Sequence, residues 1–124
     1  MEATAKFRDI KERTFEFALA IVNLCRSLDE TPGVGRTLSR QLIRSGTSIG
    51  ANVQEAQAGQ SRADFISKYS IALKEARETI FWLRLLDKSG FGFDGQCKQL
   101  AAEAEEISRV IGSIIVKARK SQKR

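Results

Sequence analysis

The sequence predicts an all-α fold: an antiparallel, up-down-up-down four-helix bundle with left-handed crossing. Three observations carry this prediction. Four segments repeat apolar or small residues at alternating steps of 4 and 3, the mark of one buried helical face. Short connections rich in Gly, Ser and Asp separate them. The one proline, Pro32, falls in the first connection and interrupts no helix. Helices of this kind joined by short links pack as antiparallel neighbours, and a 3.5-residue seam favours shallow left-handed crossing.

The first helix is expected over residues 9–29, with Ile10, Thr14, Phe17, Ile21, Leu24 and Leu28 as its seam. Ala18, Val22 and Cys25 widen that stripe. "DETPGVG" ends it, and the Gly-x-Gly there follows a helix rather than a strand, which speaks against dinucleotide binding. The second helix is expected over 36–58, with Leu38, Leu42, Ser45, Ile49, Asn52 and Ala56 inward. Gly59 is expected to take a left-handed position after it, and Ser61 with Asp64 to form a capping box for the next helix. That third helix, 62–88, points Phe65, Tyr69, Ala72, Ala76, Thr79, Leu83 and Leu86 inward. Trp82 and Leu85 lie outside its seam and call for a second covering surface. "SGFGFDG" breaks the chain, with Asp94 as the expected N-cap of a fourth helix, 95–118. Its seam is Leu100, Ala104, Ile107, Ile111, Ile114 and Ala118. Residues 1–124 read as a single domain.

Composition narrows function mostly by exclusion. Hydrophobic content of 42% and charged content of 29% suit a soluble globular chain. No apolar run is long enough to span a membrane, and the start has no signal-peptide pattern. With two cysteines, Cys25 and Cys97, the expectation is free thiols in a reducing cytoplasm. Cys25 reads as a small core residue, and Cys97, near a helix start, as partly exposed. The chain has no histidine, which removes imidazole-dependent triads and the Glu-x-x-His di-iron pattern. No metal or cofactor is expected, and no catalytic residue is assigned. The acidic groups Glu75/Glu78 and Glu103/Glu105/Glu106 read as solvated helix faces.

The net charge of +6 is unevenly placed. The last eight residues, "KARKSQKR", hold five basic residues and no acid; the remainder has 16 basic against 15 acidic. Lys117, Arg119, Lys120, Lys123 and Arg124 are thus a candidate phosphate-binding tail, residues 117–124, against the simpler reading of a solvated end. A second basic feature lies on helix two. At 100° per residue, Arg36, Arg40 and Arg44 fall within about 80° of one another, facing away from the seam. They sit in residues 36–54, which contain no acid.

The same helix carries Gly46 and Gly50, each costing roughly 1 kcal/mol relative to Ala. Two glycines four apart imply that another helix, in the same chain or a second subunit, approaches closely. Asn52, at the seam edge, is a buried-polar candidate, expected to join Glu55 in a structural hydrogen-bond network.

"LSRQLIRSGTSIGANVQEA" followed by "SRADFISKYSIALKEARETIFWLRLL" resembles the bacterial four-helix-bundle family of 23S rRNA intervening-sequence proteins. The accessory protein of diversity-generating retroelements is similar. The resemblance covers about residues 10–118 and is strongest from Leu42 to Glu55. It implies a bundle that assembles into a pentameric ring without known enzymatic activity, and, through the retroelement member, binding to nucleic acid and a reverse transcriptase. The chain departs from the pattern at Ala56, where many relatives have Gly, and at Ile43, where a second Arg is common. A ring would offer a partner surface to Gly46, Gly50, Trp82, Phe91 and Phe93. The functional expectation is a non-catalytic oligomeric scaffold that binds RNA or DNA through Arg36, Arg40, Arg44 and the tail. The alternative is a protein-interaction module of a ring assembly.

Overall fold

Among the described residues the chain forms four α-helices and no strand. The computed structural model describes residues 10–30, 32–59 and 61–122. Helix α1 is Ile10–Asp29, α2 is Val34–Gln57, α3 is Arg62–Lys88 and α4 is Gln96–Gln122. Helix α1 packs on α2, α2 on α3 and α3 on α4, whereas α1 and α4 touch only slightly. Arg13 bridges that thin seam, its Nε and Nη2 donating to Glu103 at 2.7 and 2.8 Å.

The core is the sum of the four apolar stripes. Ile21, Leu24 and Leu28 of α1 meet Leu42 and Ile49 of α2, with Tyr69, Leu83 and Leu86 of α3 and Ile107 and Ile111 of α4. All six seam residues of α1 are buried. On α2 the buried arc is wider than its seam: Ser39, Gly46, Gly50 and Val53 are buried, while Leu38 and Asn52 are half-buried. Helix α2 has a helix on each flank, and two neighbours cover more of a cylinder than one.

Several helix ends depart from expectation. Ser61 is extended and accepts from the Asp64 amide at 3.0 Å, so the N-cap of α3 forms. Gly59, however, is not left-handed. Ala58 closes α2 in a right-handed conformation, and the Gly59 amide donates to Ala56 O at 3.1 Å. A Cβ at Gly59 would lie 2.6 Å from Asp64 Oδ2 and 3.1 Å from Ala56 O, so the Asp64 side chain would have to turn aside to admit it. Helix α2 begins two residues before its expected start, after Gly33 at φ 101°. Asp94 is not the N-cap of α4. It lies at φ 55° between Phe93 at 49° and Gly95 at 85°, whereas an N-cap needs a β-region backbone. Gly95 O receives the Gln99 amide at 3.0 Å and starts the ladder. Helix α4 then runs to Gln122, so residues 117–122 are its last turns, and Ala118 among them is buried.

Candidate nucleic-acid interface

The three arginines of α2 meet different fates. Arg36 donates from Nε and Nη2 to Asp29 O at 3.2 and 3.0 Å and lies 3.6 Å from its carboxylate. A cation there complements the negative end of α1. Arg44 pairs across to α3, with Glu75 at 3.3 Å and with Glu78. Arg40 is exposed and has no ion-pair partner among the described residues. The expected ladder is therefore one open rung between two engaged ones. Outward arginines seek the nearest carboxylates, and those lie on neighbouring helices that a wheel of α2 alone does not contain.

Glu78 joins two elements. It accepts from Trp82 Nε1 at 3.0 Å and pairs with Arg44. The Trp82 indole, and then Arg44, hold its carboxyl below the ordinary glutamate range against an opposing effect of burial. A depressed folded-state pKa means that Glu78 adds stability above the ordinary value, lost as pH falls through the lower folded one. Trp82 is the one tryptophan of the chain, so its fluorescence reports this site. Its emission is expected to change with a midpoint below the ordinary glutamate pKa, and Glu78→Gln to abolish that step. A midpoint at or above the ordinary value refutes the pairing.

The C-terminal cations form a separate region. Lys117, Arg119 and Lys120 are exposed on α4. Gly35, near the start of α2, lies against Phe91, and Phe91 O accepts from Cys97 Sγ in the first turn of α4. From Cys97 to Arg119, α4 rises about 33 Å. Arg40 and the C-terminal cations thus belong to different parts of the surface. Lys123 and Arg124 lie outside the described residues.

The other candidates are structural in their contacts. Gly46 faces Ile21 and Gly50 faces the Thr14 backbone, so α1 of the same chain makes the close approach to both. Trp82 and Phe91 are half-buried, and Phe93 is exposed. Asn52 donates Nδ2 to Ser48 O at 2.9 Å within its own helix. Glu55 is exposed, and no hydrogen bond joins it to Asn52 among the described residues. The carbonyl four residues back is always within reach of an Asn amide on a helix and satisfies it locally. Buried polar contact between α2 and α3 comes instead from Thr79 Oγ1 and Ser45 Oγ, 2.9 Å apart. Cys97, expected to be partly exposed, is fully buried beneath the 89–95 turn.

One basic surface escaped the sequence reading. Lys74, Arg77, Arg84 and Lys88 are all exposed on α3. Arg84, Lys88 and Lys98 border a groove between α3 and α4, with Asp87 and Glu105 on its walls. Their 3-, 7- and 4-residue spacing was a legible signal of one face. Among the described residues no group of three His, Cys, Asp or Glu side chains could hold a metal ion, and no helix is long and apolar enough to cross a membrane.

A family model described as 23S rRNA-intervening sequence protein matches residues 8–113. The chain belongs to this family. Its fold is similar to a solved structure from Bacteroides thetaiotaomicron VPI-5482, described as a protein with unknown function from the S23 ribosomal protein family. That protein is 45% identical, with a TM-score of 0.79 over 86% of this chain and 97% of the other. No curated protein matches the chain. Within the family frame, the segment from Leu42 to Glu55 includes Arg44, Gly46 and Gly50, the residues by which α2 engages both neighbours.

Proposed function

We propose that this family member is a non-catalytic, oligomeric scaffold of the bacterial cytoplasm that binds RNA or DNA through a basic surface. The observation that carries the reading is Arg40: an exposed cation without an ion-pair partner among the described residues, within an acid-free stretch of α2. The family description, which refers to an intervening sequence of 23S rRNA, supports RNA as the first ligand to test. Resemblance to the retroelement accessory protein supports the same direction, and the family resemblance supports a pentameric ring. The bundle is read as antiparallel and left-handed. In support of the antiparallel direction, Cys25 meets Ser39, Ile21 meets Gly46 and Thr14 meets Gly50, partners that descend α1 while ascending α2. Phosphate contact by Arg40, and separately by Arg119 and Lys120, would be independent of base sequence and sensitive to salt.

The test is fluorescence anisotropy with a labelled structured RNA and a duplex DNA, raising salt from about 50 to 200 mM. Binding of the full chain is expected to persist at the upper salt, and Arg40→Glu to weaken it about tenfold, of the order of one lost charged contact. Arg119→Gln with Lys120→Gln tests the second region. Binding that disappears by the upper salt, or that ignores both sets of changes, overturns the reading. The second reading, a protein-interaction module, is favoured by exposed Phe15 and Phe81, because large exposed apolar groups mark protein contacts.

A further inference from the structure

The outer face of α3 interleaves cations with an aromatic ring. Lys74, Arg77, Phe81, Arg84 and Lys88 step by 3, 4, 3 and 4, so they share one stripe opposite the buried seam. All five are exposed, Phe81 by 57%. The stripe rises about 21 Å along the helix, room for several nucleotides of a strand. Every exposed charged residue of α3 is a cation; its acids, Asp64, Glu75, Glu78 and Asp87, are half-buried. Glu78, the acid nearest the stripe, is engaged by Arg44 and Trp82 and lies in the field of Lys74. On the α4 flank, Asp87 and Glu105 share a groove with Arg84, Lys88 and Lys98, two acids against three cations, and Glu105 also reaches Arg109. Arg77, Arg84 and Lys88 have no ion-pair partner among the described residues. The Phe81 ring stands edge-on to half-buried Trp82, centroids 5.0 Å apart, and Trp82 is itself tied to Glu78 at 3.0 Å. A ring propped in this way loses little freedom when a flat partner lies on it.

We propose that the outer face of α3 binds an unpaired nucleic-acid strand, with one base stacking on Phe81 and the flanking phosphates meeting Arg77, Arg84 and Lys88. Stacking selects the single strand. Every unpaired base offers a π-face, whereas the bases of a duplex are already stacked on one another and would meet only the cations. Charge selects a polyanion, because an apolar protein segment laid over Phe81 and Leu85 would strip water from the cations without pairing them. The inference rests on the nucleic-acid part of the proposed function and names its substrate class. It also gives Arg40 a neighbouring surface, since Arg40 is one turn of α2 from Arg44, which reaches α3 at Glu78.

The test uses the full chain and an oligoadenylate of about 12 nucleotides, as RNA and as DNA, each alone and annealed to its complement, read by fluorescence anisotropy at about 100 mM salt. Phe81→Leu keeps the apolar bulk and removes the π-face; Phe81→Trp restores it. Position 81 is exposed, so both variants are expected to keep the helical circular dichroism signal. The unaltered chain is expected to bind the single strands about tenfold more tightly than the duplexes. Phe81→Leu is expected to weaken the single strands about tenfold, within the range for one stacked base, Phe81→Trp to leave them bound, and neither to change the duplexes. Arg77→Gln with Arg84→Gln is expected to flatten the log–log salt slope by about 1.4, the contribution of two strand phosphates. Duplexes bound as tightly as single strands, or Phe81→Leu without effect, overturns the inference and leaves nucleic-acid binding standing. Phe81→Leu weakening the strand while Arg40→Glu does nothing upholds the α3 surface and overturns the Arg40 reading alone. A chain that binds none of the four probes overturns both and leaves the stripe to an acidic protein segment.

Discussion

Gly46→Leu is expected to destabilise the bundle by about 3 kcal/mol, the upper part of the range for overpacking a core. A Cβ at Gly46 would sit 2.9 Å from Ile21 Cγ2, 3.0 Å from Cγ1 and 3.3 Å from Cβ. Ile21 is fully buried, and its β-branched side chain is held in one rotamer on a helix, so it cannot swing aside. The gain in helix propensity, about 1 kcal/mol, is smaller than the clash. Gly50 is comparable, with Thr14 O at 3.2 Å, and there the obstacle is backbone. Gly112 on α4 is the contrast, since a Cβ there would meet nothing within 4 Å. Gly112→Ala is expected to stabilise by up to about 1 kcal/mol. Urea unfolding followed by circular dichroism checks both changes through the midpoint at constant slope. A Gly46→Leu midpoint equal to that of the unaltered chain would show that α1 and α2 do not pack at this distance.

Neither cysteine is expected to react with a thiol reagent such as dithiobisnitrobenzoate while the bundle is closed. Cys25 is 3% and Cys97 0% exposed. Burial pushes the Cys97 thiol up to about 11, with Asp87 adding to the effect, and burial likewise raises Cys25. The reactive thiolate is therefore scarce and shielded. Labelling at pH 8 is expected to run at least about a thousandfold slower in buffer than in denaturing urea, because it must wait for opening of the fold. Rapid labelling of one thiol in buffer would mean that the 89–95 turn does not cover Cys97. The sign of the pH effect follows. A thiol that titrates near 11 when folded, against an ordinary 9.0, leaves stability unchanged below pH 9 and lowers it as pH rises toward 11.

The helices were legible in the sequence because burial repeats along a helix with a period set by the backbone alone. The seam of α1, from Ile10 to Leu28, needed only that period. Ser61 could be placed because capping is a contact over three residues. Asp94 failed because the left-handed run from Phe93 to Gly95 is a property of the whole turn. Lys117, Arg119 and Lys120 fall on helix rather than tail because charged residues on an outer face say nothing about where a helix stops.

Other assignments depended on what lies across a gap. Arg36, Arg40 and Arg44 are equivalent on the wheel of α2, yet only Arg40 stays open, because Asp29 stands beside Arg36 and Glu75 and Glu78 beside Arg44. The glycines announced a close approach without naming Ile21 and Thr14. Periodicity fixes which way a residue points, and so by itself the sequence determined the four helices and their buried faces. The relative height and rotation of neighbouring helices fix what that residue meets. The tertiary structure alone therefore decided which charges are used, which glycines are filled against and which apolar stripes remain uncovered.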